Sequence, residues 1–212
     1  MAISTSIDKI FTRKEEFLNI ITSCIGFVAS IVGIVVLYLK SSENNVLALM
    51  IYSTTMIFVY LSSILAHSVK SRAIKMQMNI IDHIAVDLFI AGTYTSLVVI
   101  QLKGELAILI LWLAWILCLT SVVFKLLYKE KPQWISEICY FILSVLWLLA
   151  YDQISQTFSA ESIVLLLGGI VSYLIGLYIF KLEHLPYNHP VFHLFVLLGT
   201  TLHFIQIYFY SL

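Results

Sequence analysis

Charge is what this sequence has least of. Only 11% of its 212 residues are charged, where a soluble domain carries about a quarter. A water-soluble globule is therefore excluded, and the hydrophobic share of 61% with a mean hydropathy of +0.99 points to a membrane protein. Net charge is absent as well: the formal balance is zero, so nothing suggests a nucleic-acid partner. Cysteine is scarce. Cys24, Cys118 and Cys139 fall inside apolar runs without C-x-x-C spacing, which predicts neither a disulfide framework nor a thiolate metal site. A cleavable signal peptide is not expected, because Arg13-Lys14-Glu15-Glu16 precedes the first long apolar run and no clear cleavage site follows. Internal repeats, low-complexity tracts and room for a soluble domain are all missing.

What is present is a series of apolar runs. A spanning helix needs about 20 mostly apolar residues, and seven stretches qualify: roughly 17–39, 46–67, 80–101, 105–127, 134–152, 161–181 and 190–211. Short polar connections such as Lys40-Ser41-Ser42-Glu43-Asn44-Asn45 join them. The expected fold is all-α: one polytopic domain over residues 1–212 with seven transmembrane helices. Basic residues set the expected orientation. The N-terminus and the even-numbered loops share one side, which holds Lys9, Arg13, Lys14, Lys70, Arg72, Lys75, Lys125, Lys129, Lys131 and Lys181; the other holds Lys40 and Lys103. Ten against two predicts a cytoplasmic N-terminus and an external C-terminus.

On this topology the rare polar groups gather at one depth. Asn188-His189-Pro190-Val191-Phe192-His193 opens the last run. Pro190 suits the first turn of a helix, and His189 and His193, four apart, stack on one face. The second helix ends at Ser63-x3-His67, the third begins at Asp82-His83, and the first begins with Glu15, Glu16 and Asn19, all at the same membrane face. Three neutral imidazoles and a water make a tetrahedral zinc site with an open position. Zinc lowers the pKa of a bound water to about 7. Asp82 is the carboxylate that could orient or deprotonate that water, and Ser63 could donate to a polarised carbonyl or support a ligand from behind. The plainer alternative is a set of interfacial polar residues that snorkel to the surface. Against it stands the cost of placing ionisable groups in a membrane helix.

The ordered set Ser63-x3-His67, Asp82-His83, Ile90-Ala91-Gly92-Thr93-Tyr94-Thr95 and His189-x3-His193 resembles the hemolysin III family, which belongs with the progestin and adipoQ receptors and so with the adiponectin receptors. The resemblance runs from Glu16-x2-Asn19 to His203-Phe204. It implies seven helices, a cytoplasmic N-terminus and Zn2+ held by His67, His189 and His193, with Asp82 and Ser63 beside it. Similarity of the motif to alkaline ceramidases implies hydrolysis of a lipid amide or ester and a role in membrane-lipid homeostasis. The expected location is a bacterial inner (plasma) membrane. The expected partners are membrane lipids, with a homo-oligomer left open. The chain departs from many members at Thr22-Ser23, where they carry Thr-His, and at Ser96, where they carry Pro.

Other polar residues have separate expectations. His83 points about 100° away from Asp82 around the helix and is read as interfacial or supporting. Asp87 shows no obvious basic partner in the sequence. It is expected to face a lumen, a water or another helix, and Asp87→Asn is expected to be tolerated in folding. His203 lies about 15 Å beyond His193, too far for the same metal, and is expected to bond across helices. Gly168, Gly169 and Gly176 are expected to allow close helix packing. Two other functions stay open: a non-enzymatic sensor with a structural zinc, and a pore or transporter built on Asp87 and His203.

Overall fold

The computed structural model describes residues 11–128, 134–182 and 184–212. Lys9, Lys129 and Lys131, counted above for orientation, lie outside them. Helices account for all the regular structure among the described residues: α1 (Arg13–Lys40), a 3-10 turn (Glu43–Asn45), α2 (Val46–Ser68), α3 (Arg72–Gln101), α4 (Gly104–Tyr128), α5 (Trp134–Leu146), a 3-10 turn (Trp147–Ala150), α6 (Tyr151–Thr157), α7 (Ala160–Lys181) and α8 (Asn188–Gln206), which ends in a π turn (Ile207–Ser211). These form seven segments long and apolar enough to cross a membrane, with α5, its turn and α6 together making the fifth. The chain is an integral membrane protein.

The helices bury small and polar residues and turn their large apolar ones outward. The buried stripe of α1 is Asn19, Thr22, Ser23, Gly26, Ser30, Gly33 and Leu37, while Val28, Val32 and Val35 on its other side are more than half exposed. In lipid no hydrophobic force drives helices together, so close backbone approach and interhelical hydrogen bonds hold them instead. Gly26 illustrates the point. A Cβ there would lie 2.2 Å from the Tyr60 ring of α2, so only glycine lets the two helices meet. α1 packs on α2 and α8, α2 on α3, α3 on α4, α4 on α5, and α7 on α8.

Two boundaries differ from expectation. α3 starts at Arg72 rather than near 80. Its first two turns are polar and invisible to hydropathy, yet they continue the helix beyond the apolar span. The fifth segment is broken rather than continuous. The Tyr94 hydroxyl of α3 donates to the Leu143 carbonyl at 2.5 Å, and the Tyr94 ring stacks on Trp147 at 4.6 Å. Next to this contact the backbone tightens to 3-10 over Trp147–Ala150.

Asp87 does have a basic partner, which corrects the expectation of none. It is fully buried and pairs through Oδ2 with Lys125 Nζ of α4 at 2.7 Å. Ser121 donates to Oδ1 at 3.1 Å. Lys125 also donates to the Tyr140 hydroxyl at 2.7 Å and to the His83 carbonyl at 3.0 Å. This lysine, 3% exposed, is an internal group of the bundle rather than a loop cation. Two of the three glycines behave as expected: a Cβ on Gly169 would meet the His203 ring at 2.2 Å and one on Gly176 would meet Phe195 at 2.9 Å, whereas one on Gly168 would make only ordinary contact with Leu202 at 3.4 Å.

Candidate metal centre

Two helix starts and one helix end build the centre. α1 begins with a capping box: the Glu15 N–H donates to Thr12 Oγ1 at 3.2 Å, and the Thr12 N–H donates to Glu15 Oε2 at 2.8 Å. Glu15 also accepts the Tyr187 N–H at 3.2 Å through Oε1. Tyr187 caps α8 with φ 60°, a left-handed conformation that costs a non-glycine residue energy and persists where its surroundings enforce it. Asn188 closes the same corner by donating to the Phe180 carbonyl at 2.8 Å. The first turn of α8, with His189, is thereby docked against the first turn of α1, and His67 arrives from the last turn of α2.

His67, His189 and His193 meet there. One ring nitrogen from each lies within 4.8 Å of the others, and all three residues are about nine-tenths buried or more. His67 Nε2 and His189 Nε2 are 3.1 Å apart. Nitrogens bound at 2.0–2.1 Å around a tetrahedral ion lie about 3.3 Å from one another, so the spacing suits zinc.

The protons can be assigned from the partners. Glu16 Oε2 sits 2.7 Å from His67 Nδ1. A carboxylate only accepts, so Nδ1 carries the hydrogen and Nε2 presents its lone pair toward His189. Lys75 holds the other Glu16 oxygen, and the Asn19 amide lies 3.2 Å from the same Nδ1. At His193, Nδ1 is 3.2 Å from Thr22 Oγ1 and 3.3 Å from Ser23 Oγ. Thr22 gives its proton to the Leu18 carbonyl at 2.9 Å, and Ser23 gives its proton to Ser63 Oγ at 2.9 Å. Both hydroxyls therefore accept from Nδ1–H, which leaves His193 Nε2 bare. At His67 and His193 the outer nitrogens are thus engaged, as they are in ligands of a zinc site. The donor set fits the ion.

The remaining predicted residues fall into two groups. Asp82, 8% exposed, accepts from Ser62 Oγ at 3.1 Å and lines a cavity together with His83 and His189. Ser63 stands behind His193, linked to it through Ser23, and does not line the cavity. His83 borders the cavity with its ring edge toward Phe180. His203 bonds the Leu166 carbonyl across to α7 at 3.1 Å. Glu16, Asn19, Thr22, Ser23 and Ser62 were not singled out as site residues by spacing. The signal for the first four was present: they recur at i, i+3, i+6 and i+7 along α1, one face of a helix.

The cavity opens among α3, α5, α7 and α8, with about 1240 Å³ between its walls and at its mouth. Phe89, Ile90, Leu143, Leu177, Phe192 and Val196 make its sides. Of the three clustered histidines, His189 lines it.

The family described as Haemolysin-III related matches this chain over residues 11–204. Hemolysin-3 of Bacillus cereus is 34% identical over 203 residues, covering 94% of this chain and 93% of that protein. The Hemolysin-3 homolog of Bacillus subtilis (strain 168) is 32% identical, with 94% and 96% covered. Monocyte to macrophage differentiation factor of Homo sapiens is 25% identical over 206 residues, covering 94% and 85%. No solved structure matches.

Proposed function

This chain belongs to the haemolysin-III related family, and on that premise we propose that it is a zinc-dependent membrane hydrolase acting on a lipid amide or ester drawn from the bilayer. One observation carries the reading: three imidazoles bring ring nitrogens within 4.8 Å of one another, and one of them, His189, lines an apolar cavity that also presents a carboxylate, Asp82. His67, His189 and His193 would hold the ion. A zinc ion bound there supplies a Lewis acid that makes water reactive near neutral pH.

The chain's own groups do the rest. Ser62 donates to Oδ1 of the Asp82 carboxylate, and that carboxylate would take a proton from the attacking water and return it to the leaving amine or alkoxide. The apolar walls bind the acyl chain and keep bulk water from the reacting carbonyl. Glu16, steadied by Lys75, fixes the tautomer and rotation of His67. Ser63 acts through Ser23 on His193 rather than on substrate.

The proposed setting is the plasma membrane of a bacterium, since two of the relatives are Bacillus proteins, with the centre on the cytoplasmic side. Lys125 drops out of the charge count because it is buried, which leaves nine basic residues against two and the same orientation. A pore or transporter built on Asp87 is disfavoured, because its carboxylate is already neutralised by Lys125.

Metal analysis of the purified chain, alongside hydrolysis of lipid amides in liposomes, tests the proposal. His67→Ala, His189→Ala and His193→Ala each lose most of the zinc, and His203→Ala retains it. Asp82→Asn keeps zinc and loses about 10²–10⁴-fold in turnover. Wild type without zinc, or His189→Ala with a full complement, refutes the metal centre. Full turnover by Asp82→Asn leaves the metal standing but sinks the hydrolase in favour of a sensor with structural zinc.

A further inference from the structure

The cavity has a second polar end. His189 and His203 both line it, and fourteen residues of α8 separate them, about 21 Å along the helix axis. Between them the walls are apolar. At the far end the His203 ring is 4% exposed, with Nε2 3.1 Å from the Leu166 carbonyl. A carbonyl only accepts, so Nε2 carries the hydrogen. In the neutral ring Nδ1 is then a bare acceptor, and it has no hydrogen-bond partner.

The neighbouring hydroxyl does not satisfy it. Tyr173, whose ring meets His203 edge-on at 5.5 Å, lies 3.2 Å from Thr200 Oγ1. Thr200 spends its own proton on the Val196 carbonyl at 2.9 Å. Tyr173 must therefore donate to Thr200 and has no proton left for His203. The ring cannot turn away either, because Gly169 lies directly under it, with space for no Cβ. Buried acceptors are met in nearly all proteins, and one left unmet is costly. Here the ring that carries the unmet acceptor borders an apolar cavity.

We propose that His203 Nδ1 is a ligand-reading group: it accepts a hydrogen bond from a hydroxyl carried part-way along the chain of the lipid in the cavity. The apolar walls between the two ends favour a neutral O–H donor over an ammonium at His203. The proposal rests on the reading of the cavity as a lipid site, and it is independent of whether zinc or hydrolysis is present.

Equilibrium binding of stearate and of a hydroxystearate with its hydroxyl in mid-chain to the full chain in detergent tests this. Wild type binds the hydroxylated chain about tenfold more tightly. His203→Phe keeps the ring's shape, retains stearate affinity and loses the preference. Gly169→Ala, which pushes the imidazole aside, reduces the preference as well and serves should His203→Phe not fold. Equal binding of the two chains by wild type overturns the proposal and leaves the lipid cavity intact. A preference that survives both substitutions overturns it too. Failure of both chains to bind overturns it together with the lipid reading of the cavity, while zinc content of the same preparations reports the metal centre separately.

Discussion

Breaking the buried ion pair between α3 and α4 should destabilise the bundle far more than any change at a lipid-facing position. Asp87 has no exposed surface and Lys125 has 3%. The ammonium distributes its protons to Asp87 Oδ2, the Tyr140 hydroxyl and the His83 carbonyl, and Ser121 completes the carboxylate. Asp87→Asn preserves the shape but strands the lysine charge among apolar helices. Removing one partner of such a pair costs about 3–5 kcal/mol. At about 2–4 °C per kcal/mol for a chain of this size, the melting temperature should fall by about 6–20 °C. Replacing both, Asp87→Leu with Lys125→Met, removes the uncompensated charge and should recover most of the loss, because a buried pair and its apolar replacement are often nearly equal in stability. Thermal unfolding of the purified chain in detergent, followed by gel filtration, measures these variants together with Asp87→Leu and Lys125→Met alone, which close the double-mutant cycle. A wild-type melting temperature for Asp87→Asn, or a double variant worse than the sum of the singles, refutes the reasoning.

Two further outcomes follow from the geometry. Glu16→Ala removes the acceptor that fixes the His67 tautomer, so zinc affinity measured by chelator competition should fall about 10–100-fold with all three imidazoles in place; unchanged affinity contradicts the tautomer assignment. A reporter inserted at Arg72 should read as cytoplasmic and one fused after Leu212 as external, and the opposite pattern would move the metal centre to the other face of the membrane.

The sequence alone determined the number of spans, their positions to within a turn at most ends, and the gathering of His67, Asp82, His83, His189 and His193 at one depth. All of these depend on hydropathy along the chain and on alternating helix direction, which are local or topological properties. Tertiary structure decided the partners. Lys125 looked like a loop cation because it closes the fourth apolar run, yet the rotation of α4 carries it inward to an aspartate 38 residues away. Thr22 and Ser23 stood out in the sequence only as a departure from the family pattern, yet they hold a histidine 171 and 170 residues distant. The fifth span is broken at Trp147, beside the bond that Tyr94 of α3 gives to the Leu143 carbonyl. Hydropathy fixes how deep a residue sits but not which way its helix is turned. In a bundle held by small residues and side-chain hydrogen bonds, that rotation is set only when all the helices pack, and it selects which buried polar groups meet.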